Sequence, residues 1–128
     1  MPRYAVAFFR NLALVRAAVR RAQDVRVVKL IVDTGAAMTV LSWEILEGLG
    51  YDPAGTRQRV RLVTVSGFAL APRITVESFH CLGKEIQDLP VVCHDLPFAR
   101  YADGLLGINF LRRFDVAIYP QHGVIESP

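Results

Sequence analysis

Apolar and polar positions alternate over short stretches along most of this chain, with turn residues between them, which predicts strands far more often than helices. Residues 4–9 read as a short strand. The run at 25–32 is rich in β-branched residues and stops abruptly at Asp33-Thr34-Gly35, as a buried strand entering a tight turn would. Extended character resumes at 39–41, and Ser42 is placed to cap a short helix over 43–49 that Gly50 closes. Residues 59–77 alternate on both sides of Ser66-Gly67, the pattern of a long hairpin. Two further strands are expected at 79–82 and 86–92, a short helix at 108–114, and a terminal hairpin from 116–119 and 124–125. Only residues 11–23 leave the period open. Leu12, Val15, Val19 and Ala22 fall at helical spacing, yet a strand pair disguised by arginines fits as well.

Strand after strand with one or two short helices argues an all-β barrel or sandwich. A length of 128 residues with 52% hydrophobic content suits one compact domain and excludes a disordered chain. Two cysteines, Cys81 and Cys93, make no disulfide framework. No apolar run approaches the roughly 20 residues of a membrane helix, and residues 1–10 lack the features of a signal peptide, so a cytoplasmic location is expected.

Charge changes the picture at one end. Residues 1–29 carry seven bases and a single acid, Asp24, whereas the remainder carries eight bases and eleven acids. A basic N-terminal segment with a first strand, residues 1–24, is therefore set apart from a domain over 25–128. The segment reads as a solvated, solubilising face. No stacking aromatics or nucleic-acid module accompany its arginines, so no nucleic-acid partner is expected, and contact with a membrane surface is the lesser alternative.

The candidate chemistry sits at Asp33, a single carboxylate at the end of an apolar strand. A carboxylate there is costly unless hydrogen-bonded, paired or neutralised. Two carboxylates set together can share one proton and act as acid and base toward a bound water. Gly35 permits the turn and lets its amide approach the carboxylate, while the Thr34 hydroxyl can lock the loop. Alone, the tripeptide is also an ordinary turn. Zinc held by His80, Cys81, Cys93 and His94 is disfavoured, because adjacent residues on a strand face opposite ways. The same objection meets cysteine–histidine catalysis.

The stretch from Leu30 through Asp33-Thr34-Gly35-Ala36 resembles the active-site signature of the aspartic proteases, and the match continues through Met38-Thr39-Val40-Leu41-Ser42. Leu105-Leu106-Gly107-Ile108-Asn109-Phe110-Leu111 looks like the family's second hallmark, an apolar pair and glycine that crosses behind the catalytic loop and leads into a helix. The hairpin tipped by Ser66-Gly67 stands where the family carries its flap, and residues 115–126 resemble its closing strands. The ordered set covers roughly residues 25–126. There is one Asp-Thr-Gly, so the resemblance is to the single-lobe, retropepsin-like enzymes. It implies an acid-protease barrel with one lobe per chain, and a homodimer that brings two Asp33 carboxylates together. The substrate implied is a polypeptide, with no metal or cofactor. Asp33 is then catalytic, with Thr34, Gly35 and Ala36 in its loop and Val65, Ser66 and Gly67 in the flap. Asn109 stands where many bacterial relatives carry an acid, with no role assigned to it. The alternative is a non-catalytic peptide-binding or dimerisation module on the same fold.

Overall fold

The computed structural model describes residues 2–64, 67–97 and 101–127. Strands dominate. In chain order they are β1 (Arg3–Ala5), β2 (Ala7–Phe9), β3 (Leu12–Arg21), β4 (Asp24–Val32) and β5 (Val40–Leu41). After helix α1 (Trp43–Gly48) come β6 (Arg59–Thr64), β7 (Gly67–Cys81), β8 (Lys84–Cys93) and β9 (Gly104–Leu106). Helix α2 (Ile108–Leu111) and the hairpin β10 (Ala117–Tyr119) and β11 (Val124–Glu126) complete the chain.

The main sheet runs β2-β3-β4-β9-β5-β8-β7-β6, and a further pairing of β3 with β7 closes six of these strands into a barrel. Leu30, Leu41, Leu46, Phe79, Leu89, Leu106 and Phe110 fill the interior with essentially no exposure. Burial of such side chains is worth about 1.5–3 kcal/mol each. The edge-to-face pair Phe79–Phe110, 5.4 Å between centroids, joins α2 to the barrel wall. The remaining three strands form a separate small sheet, β1-β11-β10, which ties the two ends of the chain together.

Residues 11–23 resolve to strand. Leu12–Arg21 pairs with β2, β4 and β7 at once, and Leu14, Val15, Ala17 and Val19 are buried. Arg16 and Arg20 stand at positions that alternation sends outward, whereas Arg21 falls on the inward side at the strand's end, which is why a helical period fits the sequence equally well. The expected strand at 79–82 is the second half of β7, an unbroken strand of 15 residues. Inward positions shift phase at Ser78–Phe79, where β7 has left β6 behind and taken β3 as its neighbour. In the sequence that phase shift looks like a strand end. The expected first strand, residues 4–9, divides at Val6, which sends β1 to the terminal sheet and β2 to the end of the main sheet, beside β3. Ser42 does cap α1, its Oγ accepting from the Ile45 N–H at 3.3 Å.

Candidate active site

Asp33 is held in place by the crossing of three short elements. Strand β9 lies parallel to β4 (Leu30↔Gly104, Val32↔Leu106) and antiparallel to β5 (Val40↔Leu105, Leu41↔Gly104). So close an approach demands glycine. A Cβ at Gly104 would run into the Val40 carbonyl oxygen, and one at Gly107 would lie 2.5 Å from the Met38 carbonyl carbon and oxygen. The apolar-pair-glycine element thus passes directly behind the loop, as the resemblance implies.

The loop itself is short and heavily bonded. The Asp33 N–H donates to the Leu106 carbonyl at 3.0 Å, and the Ala36 N–H to the Asp33 carbonyl at 3.2 Å. The N–H groups of Ile108 and Asn109 donate back to the carbonyls of Ala36 (2.8 Å) and Ala37 (3.1 Å), docking the start of α2 on the loop. Asp33 Oδ1 accepts the Gly35 N–H at 2.8 Å, the approach expected of that glycine. No hydrogen bond engages Oδ2 among the described residues. Asp33 is half-buried, and Thr34 beside it is exposed.

Thr34 makes no hydrogen bond within its own chain among the described residues, and the bond that locks the loop within the chain is a separate one. It lies at Thr39, which is fully buried. The Thr39 Oγ1–H donates to Asn109 Oδ1 at 2.8 Å while Oγ1 accepts the Gly107 N–H at 3.1 Å. The Thr39 N–H also donates to Asn109 Oδ1 at 2.8 Å, and Asn109 Nδ2 donates to the Pro90 carbonyl at 2.7 Å. Asn109, to which the sequence reading gave no role, is therefore the bolt between the loop, α2 and β8. One signal for it was present, since an amide inside an otherwise apolar stretch from Leu105 to Leu111 needs partners.

Beside the loop opens a cleft of about 480 Å³, lined by Gly35, Ala36, Met38, Val60, Leu62 and Leu96 among others. One wall is the Asp33 loop and the other is the β6–β7 hairpin. Gly67 opens β7 opposite Thr64, whereas Val65 and Ser66 lie outside the described residues. On the other side of Thr34 is a smaller apolar hollow of about 170 Å³, formed with Ile108, Leu111, Phe114, Val116 and Ile118.

The competing chemistries find little here. Cys81 and Cys93 are buried and unpaired, and burial pushes both thiols up to about 12, far from the thiolate a nucleophile needs. Among the described residues no three of His, Cys, Asp and Glu come together as metal ligands would, and no helix is long and apolar enough to cross a membrane.

Residues 21–113 match the gag-polyprotein putative aspartyl protease family, well over half of the chain. The chain belongs to that family. Its fold is similar to the crystal structure of a retropepsin-like aspartic protease from Rickettsia conorii, with a TM-score of 0.73 and 26% identity, covering 96% of this chain and 87% of that one. No curated protein matches the sequence. The all-β, retropepsin-like lobe is thus the architecture of this chain, and the stretches Asp33-Thr34-Gly35 and Leu105-Leu106-Gly107 meet at the loop described above.

Proposed function

We propose that the chain is an aspartic endopeptidase that works as a homodimer, with Asp33 of each copy supplying half of the catalytic pair. The observation that carries this reading is the setting of Asp33. Its Oδ1 is fixed by the Gly35 N–H, its Oδ2 has no hydrogen-bond partner among the described residues, and its backbone is pinned to β9. A single lobe supplies only one such carboxylate, and hydrolysis by a shared-proton pair needs two. The exposed Thr34 and the apolar hollow running to Ile118 form a face suited to a second copy around a two-fold axis.

In the assembled site one carboxylate is ionised and its partner protonated. The ionised group takes a proton from the bound water as the water oxygen attacks the scissile carbonyl carbon. The protonated group gives its proton to the carbonyl oxygen, so a neutral gem-diol forms without a covalent enzyme intermediate. Collapse transfers a proton to the amide nitrogen, breaks the C–N bond and restores the shared proton. The flap tip, Val65, Ser66 and Gly67, would cover an extended polypeptide lying in the cleft beside Ala36 and exclude water from it. A cytoplasmic site of action is part of the same proposal.

Asp33→Asn tests it. An amide can neither take nor give the proton, so cleavage of an unfolded casein-type protein should fall by roughly a thousandfold or more. The circular dichroism spectrum and sedimentation behaviour should stay as in the wild type. Undiminished cleavage by the pure variant would refute the assignment. Sedimentation of the wild type as a monomer, at concentrations where cleavage persists, would refute the half-site arrangement.

A further inference from the structure

The first half of β4 is an open sheet edge. From Asp24 to Lys29 this strand has β3 on one side, while β9 joins its other side only from Leu30 onward. The direction of its backbone groups follows from two bonds. The Lys29 N–H donates to Asp103 Oδ2 at 2.8 Å, and the Lys29 carbonyl accepts from the Asp103 N–H at 2.7 Å, so both point away from β3. Alternation along an antiparallel strand then points the N–H and C=O of Val27 and Val25 the same way. No hydrogen bond to them is present among the described residues. The two side chains stand on the outer face of the sheet, 67% exposed for Val27 and 54% for Val25. A row of free donors and acceptors beside two uncovered valines is the template on which an extended segment adds as a further strand.

Charge selects the occupant. On the same outer face Lys29 lies directly opposite Arg16, a like-charge pair that disfavours the sheet by itself. Neither has an ion-pair partner among the described residues. The next base along, Arg20, is already engaged with Glu85 at 3.3 Å. A second copy of this chain laid edge to edge would bring its own Arg16 and Lys29 to the same surface and be repelled. A segment offering apolar side chains to Val25 and Val27, and a carboxylate to Lys29 and Arg16, is matched on every count.

We infer that the Asp24–Val28 edge of β4 is a docking site for an extended polypeptide segment in which apolar residues alternate and an acidic residue stands two positions beyond them. Val25 lies eight residues before Asp33 on an extended strand, roughly 25 Å away. The edge is therefore separate from the cleft and from the face beside Thr34, and it binds whether or not the chain hydrolyses what it holds.

The test uses the full chain and an eight-residue peptide, capped at both ends, in which valine alternates with threonine and a glutamate stands at one terminus, made in both orientations. By fluorescence anisotropy one orientation should bind about tenfold more tightly than its counterpart carrying lysine for glutamate. Amide exchange at Val25 and Val27 should slow on binding. Val27→Pro removes an edge donor without touching the ladder to β3, and should weaken binding about tenfold. Lys29→Glu should invert the preference between the two peptides, and it carries the test together with the exchange data should the proline variant not fold. Absence of binding, equal binding of both peptides, or protection confined to the cleft would overturn the inference. So would protection of Val25 and Val27 that rises with protein concentration and no peptide, because a second copy would then be the occupant.

Discussion

On one side of the cleft, the segment from Asp33 to Thr39 is tied to β9, α2 and β8 through backbone and side-chain hydrogen bonds that centre on the buried Thr39 and the part-buried Asn109. On the other side, the β6–β7 hairpin is held chiefly by its own ladder. Val60 and Leu62 pack inward against Val40, Ala71 and Val92, but Val63, Phe68 and Leu70 stand 88%, 60% and 65% exposed. The difference follows from what each wall must do. A carboxylate that shares a proton and aims a water must be placed to within a fraction of an ångström, which needs over-determined bonding. A cover that admits a polypeptide and closes on it must open at low cost, which needs few buried contacts.

The largest effect that follows concerns the tightest crossing. Gly107→Ala sets a methyl group against the Met38 backbone at 2.5 Å, and backbone cannot rotate away as a side chain can. A stability loss of about 3 kcal/mol is expected in urea denaturation. A loss under about 1 kcal/mol would mean that the loop yields, and the rigid wall would have to be reconsidered.

Next in size is Thr39→Val, which keeps the shape and deletes the hydroxyl. The buried Gly107 N–H loses its acceptor and Asn109 Oδ1 loses one of its two donors. The expected cost is about 2 kcal/mol, and Thr39→Ser should recover most of it. If catalysis depends on this lock, turnover of a peptide substrate should fall in kcat with KM little changed, because substrate contacts lie elsewhere. A change in KM alone would separate the lock from the chemistry.

How much of this contrast was legible beforehand depended on whether a feature is local. The strand running into Asp33-Thr34-Gly35, the Ser42 cap and the hairpin at 59–77 each follow from neighbouring residues, and the sequence carried them plainly. The Gly35 contact with the carboxylate is equally local, spanning two residues. The lock was hidden because Thr39 and Asn109 are 70 residues apart and each is unremarkable in its own surroundings. Thr34 draws the eye because it adjoins the aspartate, whereas the bonds that lock the loop within the chain run through Thr39. Residues 11–23 were ambiguous for another reason. A strand shared between β2, β4 and β7 buries alternate residues whatever its sequence period, so tertiary pairing overrode a pattern that also fitted a helix.

The smallest expected effect tests the compliant wall. Arg61 holds its guanidinium over the Phe68 ring at 4.0 Å on the outer face of the hairpin, and both side chains are exposed. An exposed cation–π contact is worth about 0.5–1 kcal/mol, part of which water returns when the arginine is removed. Arg61→Ala should therefore lower global stability by no more than about 0.5 kcal/mol. Amide exchange at Leu62 and Ala69, which face each other in the ladder, should nevertheless quicken several-fold, because the hairpin opens locally without unfolding the barrel. The two readouts part only if the hairpin is energetically separate from the loop it covers. A global loss as large as that of Thr39→Val, with no selective change in exchange, would show the two walls to be one cooperative unit, and the division of labour between them would fail.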